Sequence, residues 1–205
     1  MRKKCLTTKC FFPWIVASML TIIVLCGQFK VVCATNEDSD PFSLIDYVST
    51  HDIHSFSEFD SVLRQYCGQF YEPFIVENEV GFEIDVNYDN RFVIVTVVED
   101  LGQTRGVKTG KATRKYYSDS GAVTFTIYVE GRFTYSTNES RTLSVTGAYT
   151  PSVLSFWTST PTLTSGNFSP TLAYAKIYGT ATFLTFSQYY SITLMCDNYG
   201  NLSAN

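Results

Sequence analysis

From Val123 to Tyr135 the chain alternates between apolar and polar residues. Val123, Phe125, Ile127, Val129, Phe133 and Tyr135 share one parity, and Thr124, Thr126, Glu130, Arg132 and Thr134 share the other. A helix of this sequence would scatter the apolar side chains all round its axis. An extended strand puts them on one face, because successive side chains point to opposite sides of a sheet. Gly131 interrupts the run where a bulge or bend fits.

The same period recurs at Phe82, Ile84, Val86 and Tyr88, alternating with Glu83, Asp85, Asn87 and Asp89. Phe92–Val98 is apolar at nearly every position, the pattern of a strand covered on both faces. Further strands are predicted around Ala112–Tyr117, Arg141–Tyr149, Ser152–Thr158, Thr171–Tyr178, Ala181–Phe186 and Tyr189–Cys196. Turns are predicted at Tyr88–Arg91, Asp119–Gly121 and Asn198–Asn201. One helix is expected from Ser55 or Ser57 to Tyr66. A serine caps it, Phe59, Val62, Leu63 and Tyr66 share a face, and Gly68 stops it. The fold class is therefore all-β, an antiparallel β-sandwich with one short N-terminal helix, and a closed barrel is the alternative.

The N-terminus has a separate task. Arg2, Lys3, Lys4 and Lys9 precede the apolar run Phe11–Cys26, Val32-Cys33-Ala34 offers a cleavage site, and Thr35–Asp38 turns polar. That order is a secretory signal peptide over residues 1–34, with cleavage after Ala34. A retained anchor is the alternative if the apolar run extends through Gly27–Val32. Residues 35–54 read as a flexible acidic leader and 55–205 as one sandwich domain. Five of the fifteen cations leave with the peptide and none of the nineteen acids does, so ten cations face nineteen acids, a balance of −9. Nucleic acid is excluded as a partner by that sign, and contact with a membrane is expected only through the signal segment during export. Cys67 and Cys196 are the only cysteines beyond the signal. In an oxidising medium they permit one disulfide, and otherwise they are two separate thiols.

The block from Gly110 to Ser203 resembles small exported proteins of Gram-positive bacteria. The likeness is carried by Lys111–Tyr117 before Ser120-Gly121, by Val129-Glu130-Gly131-Arg132-Phe133-Thr134-Tyr135, and by Ile192–Ser203. It implies export and a β fold, and it assigns no functional residue.

Candidate chemistry is sparse. His51 and His54 lack the third and fourth ligands that a metal needs. Asp85, Asn87 and Asp89 imitate the start of a calcium loop, but its sixth position is Asn90 and its twelfth is Thr96, and strand alternation already explains the spacing. Acids among Glu77, Glu79, Glu83, Asp85, Glu99 and Asp100 offer paired carboxylates for an extracellular hydrolase, if two of them converge. Gly106–Lys111 lacks the spacing of a phosphate loop, and no cofactor is expected. The distinctive segment is Arg105–Lys115, where Arg105, Lys108, Lys111, Arg114 and Lys115 fall in eleven residues without an acid. As one patch it suits an anionic cell-wall polymer or glycan. The alternative is internal compensation against the acidic N-terminal half. Tyr128, on the polar parity of its strand, is a candidate contact among fourteen tyrosines. The expected function is a secreted, extracellular or envelope-associated protein that binds a ligand without catalysis. A hydrolase and a toxin-like effector are the rival classes.

Overall fold

The computed structural model describes residues 43–67, 71, 73–152 and 155–205. The signal peptide, the leader as far as residue 42 and the stop at Gly68 lie outside the described residues.

Among the described residues nine strands form two antiparallel sheets. Sheet A is the meander β1 (Glu79–Asn87), β2 (Phe92–Thr104), β3 (Val107–Ser118), β4 (Val123–Ser136) and β5 (Glu139–Pro151). Sheet B is β6 (Thr162–Ser169), β7 (Leu172–Phe183), β8 (Phe186–Asp197) and β9 (Leu202–Ala204). Neither sheet closes on itself, so the all-β sandwich stands and the barrel does not. Phe125, Ile127, Val129 and Phe133 of β4 point inward, as their parity requires, against Ala175, Ile177, Ile192 and Leu194 of sheet B. The bend expected at Gly131 is a register shift between Arg132 and Phe133. A Cβ at Gly131 would lie 2.4 Å from Phe133 Cζ, so the glycine makes room for that ring.

A third layer covers the outer face of sheet A. Helix α1 (Leu44–Thr50) and helix α2 (Phe56–Cys67) press Leu44, Ile45, Phe56, Phe59 and Leu63 onto Val93, Val95, Val97 and Tyr117. This explains the unbroken apolar run of β2, whose odd residues face the helices and whose even residues face sheet B. Helix α2 starts as predicted, with Ser55 Oγ accepting from the Glu58 N–H at 3.2 Å. Helix α1 corrects the expectation of a flexible leader through residue 54. Ser43 caps it by accepting from the Asp46 N–H, and buried Leu44, Ile45 and Val48 hold it down.

Three further expectations are corrected. Among the described residues of the stretch expected over Ser152–Thr158 none lies in a strand, and only Thr158 bridges, to Thr182. β7 runs without a break through Gly179 and turns at Leu184-Thr185, so the strand expected over Ala181–Phe186 straddles a hairpin. No disulfide joins Cys67 to Cys196. Both are buried, and sheet A stands between them, since Cys67 belongs to the helical core and Cys196 to the core between the sheets.

The turn at Asp119 fastens the helical layer. Its carboxylate accepts from Arg91, from the Ser43 hydroxyl and from the Ile45 N–H. Burial alone would raise this carboxyl, but those hydrogen bonds outweigh it and hold Asp119 below the usual range. Asp100, hydrogen-bonded by Lys108, and Asp197, partly buried but bonded by Asn201 and nearby N–H groups, are lowered too. A depressed folded value means that the stabilisation is complete above the unfolded value, about pH 4, and is lost as pH falls through the folded one. Thermal melts taken downward from neutrality should show the midpoint dropping below about pH 4, and Asp119→Asn should flatten part of that drop.

Candidate functional site

A cleft opens where sheet B is narrowest. β9 is three residues long and pairs with β8 only over Leu194–Cys196. Backbone hydrogen bonds between Thr193 and Asn205 carry the pairing one residue further, and from Ile192 back to Phe186 the β8 edge has no strand beside it. The space is about 550 Å³, lined by Asp85, Val86, Asn87, Tyr88, Asp89, Ile94, Arg114, Tyr116, Gln188, Tyr189, Tyr190 and Ser191. Asp85 and Asn87 reach it by the alternation read in the sequence, because Phe82, Ile84 and Val86 are turned the other way, toward the helices.

Its floor is built rigidly. Arg114 Nε donates to Thr96 Oγ1 at 2.7 Å, and its Nη1 donates across the sandwich to the Ser191 carbonyl at 2.6 Å. Beside it Tyr116 is buried, which pushes its phenol up to about 12 despite the opposing charge and hydrogen bond of Arg114. At neutral pH Tyr116 is thus a protonated donor. Tyr190 is raised by burial as well, and its hydroxyl meets Ser159 Oγ at 2.7 Å. The roof is Gln188, only 8% exposed, whose Oε1 accepts from Asn87 and Asn90 at 3.1 and 2.7 Å. Tyr88 and Tyr189 stand exposed at the rim with Asp85 and Asp89.

The structure does not assemble the five cations of Arg105–Lys115 into one patch. They lie along β3 and its preceding turn, so alternation divides them. Lys108 and Arg114 face sheet B, Lys111 and Lys115 face outward, and Arg105 occupies the β2–β3 turn with φ 43°. Most have internal partners. Lys108 pairs with Asp100, in a second small recess of about 330 Å³ at the far end of the sandwich. Lys111 Nζ lies 3.6 Å from Glu99 and 5.7 Å from the centre of the Tyr128 ring, and Lys115 Nζ lies 4.3 Å from that of Phe74. Lys108 and Lys111 thus meet acids of the N-terminal half, whereas Arg114 and Lys115 meet neutral groups. Arg114 alone of the five reaches the cleft, and Tyr128 is on the outer face.

The paired carboxylates likewise fail to converge. Glu99 accepts from the Glu77 N–H and pairs with Lys111, Asp100 pairs with Lys108, and Glu79, Glu83 and Asp85 lie exposed along β1. His51 stacks on Tyr47 with ring centres 3.9 Å apart and caps α1, while His54 contacts Asp52. Among the described residues no three His, Cys, Asp or Glu side chains gather as metal ligands. The cleft residues that sequence reasoning passed over are Gln188 and Ser191. Their position depends on where β9 ends, and β9 carries no strand signal of its own.

Fold and cleft define a two-sheet β-sandwich with an outer helical layer and one polar, tyrosine-rimmed groove. No protein-family model, curated protein or solved structure matches the chain.

Proposed function

We propose that this is an exported, non-catalytic protein that binds a hydroxyl-rich, glycan-type ligand in the cleft between β1 and β8. One observation supports it above all: four tyrosines and a fixed set of hydrogen-bonding groups line the same groove. Exposed Tyr88 and Tyr189 offer flat apolar faces to a sugar ring. Asp85, Asn87, Asp89 and Arg114 offer acceptors and donors for its hydroxyls. The internal pairing of Lys108 and Lys111 favours a glycan over a polyanionic wall polymer. A hydrolase reading has less behind it, because Asp85 and Asp89 are both exposed whereas a general acid is held away from water.

The test is a glycan array followed by calorimetry on the best ligand. Tyr189→Ala with Asp85→Ala should weaken binding about ten-fold or more. Affinity unchanged in that variant would remove the cleft from consideration. Export rests on the order of charge, apolar run and small residues in Met1–Ala34 and on the likeness to exported Gram-positive proteins. N-terminal sequencing of material from the medium should begin at Thr35, and a chain found intact in the cytosol would sink the export half of the reading.

A further inference from the structure

The edge of β8 that borders the cleft is polarised. Thr193 exchanges both of its backbone hydrogen bonds with Asn205, its N–H donating at 2.8 Å and its carbonyl accepting at 3.0 Å. Its main-chain groups therefore point to the β9 side. β8 pairs with β7 without a register shift, so main-chain groups two residues apart along it point the same way. Ser191 and Tyr189 thus turn their N–H and C=O groups into the lane that β9 leaves open. Side chains close both carbonyls. Arg114 Nη1 donates to that of Ser191 at 2.6 Å, and Gln188 Nε2 donates to that of Tyr189 at 2.7 Å. The N–H groups of the same two residues have no acceptor among the described residues. They stand ~7 Å apart at strand rise.

The result is a wall of donors. An added peptide strand pairs through N–H and carbonyl groups in alternation, and here the carbonyls are already engaged. A sugar hydroxyl brings a donor of its own, which this wall has little to accept, whereas a carboxylate accepts without donating. Charge points the same way. Arg114 is half-buried and has no ion pair among the described residues. Its guanidinium carries five N–H groups, more than Thr96 and Ser191 take. A cation partly withdrawn from water, beside unclaimed N–H groups, is a seat for an anion. Arg114 is the one cation lining the cleft, so the seat takes a single carboxylate and not a run of them. The opposite wall has the other polarity. Asp85 on β1 and Asp89 in the turn after it are exposed acceptors. Solvent and salt screen them from the floor, and they suit hydroxyl donors. A hexuronic acid has this two-sided character, with its carboxylate on one side of the ring and free hydroxyls on the other.

We propose that the glycan bound in the cleft carries a uronic acid, its carboxylate seated by Arg114 and the N–H groups of Tyr189 and Ser191 and its hydroxyls turned to Asp85 and Asp89. This rests on the cleft being a glycan site and narrows the ligand to one sugar class.

Calorimetric titration with two disaccharides tests it, one ending in glucuronic acid and the other identical but ending in glucose. The acid should bind about ten-fold tighter or more, as charge-assisted hydrogen bonds to a carboxylate require. That advantage should shrink as salt is raised. In the ¹⁵N-labelled protein the amide protons of Tyr189 and Ser191 should move downfield with the acid and far less with the neutral sugar. Equal affinity for the two sugars overturns the carboxylate seat and leaves the glycan site standing. Tighter binding of the acid that leaves those two amides in place overturns the seat as well. If neither disaccharide binds while acetate moves both amides, the seat stands and the glycan site falls. If neither the disaccharides nor acetate move them, the seat falls.

Discussion

Phe125→Ala should cost about 3–5 kcal/mol, the largest loss expected from any single truncation of this chain. Phe125 is completely buried at the start of β4. Its ring stacks on Tyr116 at 4.2 Å and meets Tyr149, Trp157, Phe92 and Tyr190 between 5.4 and 6.2 Å. The neighbours are large, and each is bound to a different strand or loop, so the hole cannot collapse. By the usual proportionality for a domain of this size the thermal midpoint should drop by roughly 10 °C. A second readout follows from the tyrosines. Burial, and after it the neighbouring Tyr190, pushes Tyr149 up to about 12, as burial does for Tyr116. Water admitted through the vacated space should bring both phenols back toward 10, which alkaline spectrophotometric titration would detect. A loss below about 1 kcal/mol would mean that the aromatic cluster is not the hinge of the sandwich.

Arg114→Met should cost about 2–3 kcal/mol and abolish the glycan binding proposed for the cleft. The guanidinium ties Thr96, which is 3% exposed, to the Ser191 carbonyl of the other sheet. Methionine fills much of the volume but leaves both acceptors without a donor. Arg114→Lys should recover little, because a single ammonium cannot span two acceptors held at fixed angles by the guanidinium fork. Arg105→Asn, at an exposed turn, should change stability by less than about 0.5 kcal/mol and serves as the control. Equal effects at 105 and 114 would show that position in the linear cationic run, and not placement on the inner face, is what counts.

These two sites also show what the sequence could convey. The parity of Val123–Tyr135 announced which side of β4 is core, and the unbroken run of β2 announced a strand covered twice. The same parity was present among the cations, with Lys108 and Arg114 even and Lys111 and Lys115 odd, and it already forbade a single patch once the segment is seen to be a strand. The hairpin at Leu184-Thr185 was not legible, because Leu184 takes a positive φ that leucine does not ordinarily favour. Gly179 imitates a break but sits within β7, where a Cβ would lie 2.6 Å from Tyr190 Oη. Helix α1 is too short to declare itself by period and is recognisable mainly through its serine cap and its docking on Asp119. The cleft depends on the length of β9, a property of tertiary pairing that no local pattern records.

Every hydrogen-bonded strand neighbour in this molecule is also a neighbour along the chain, five in one sheet and four in the other. Among the described residues there is no Greek-key crossing for a slow search to find. Each sheet can zip hairpin by hairpin as the polypeptide leaves the ribosome or a translocation channel, the first sheet finishing before the second arrives. Two distant events remain, the docking of the helices on sheet A through Ser43 and Asp119 and the closing of the two sheets over the ring of Phe125, and an all-β chain of this size should still fold faster than its strand content alone suggests.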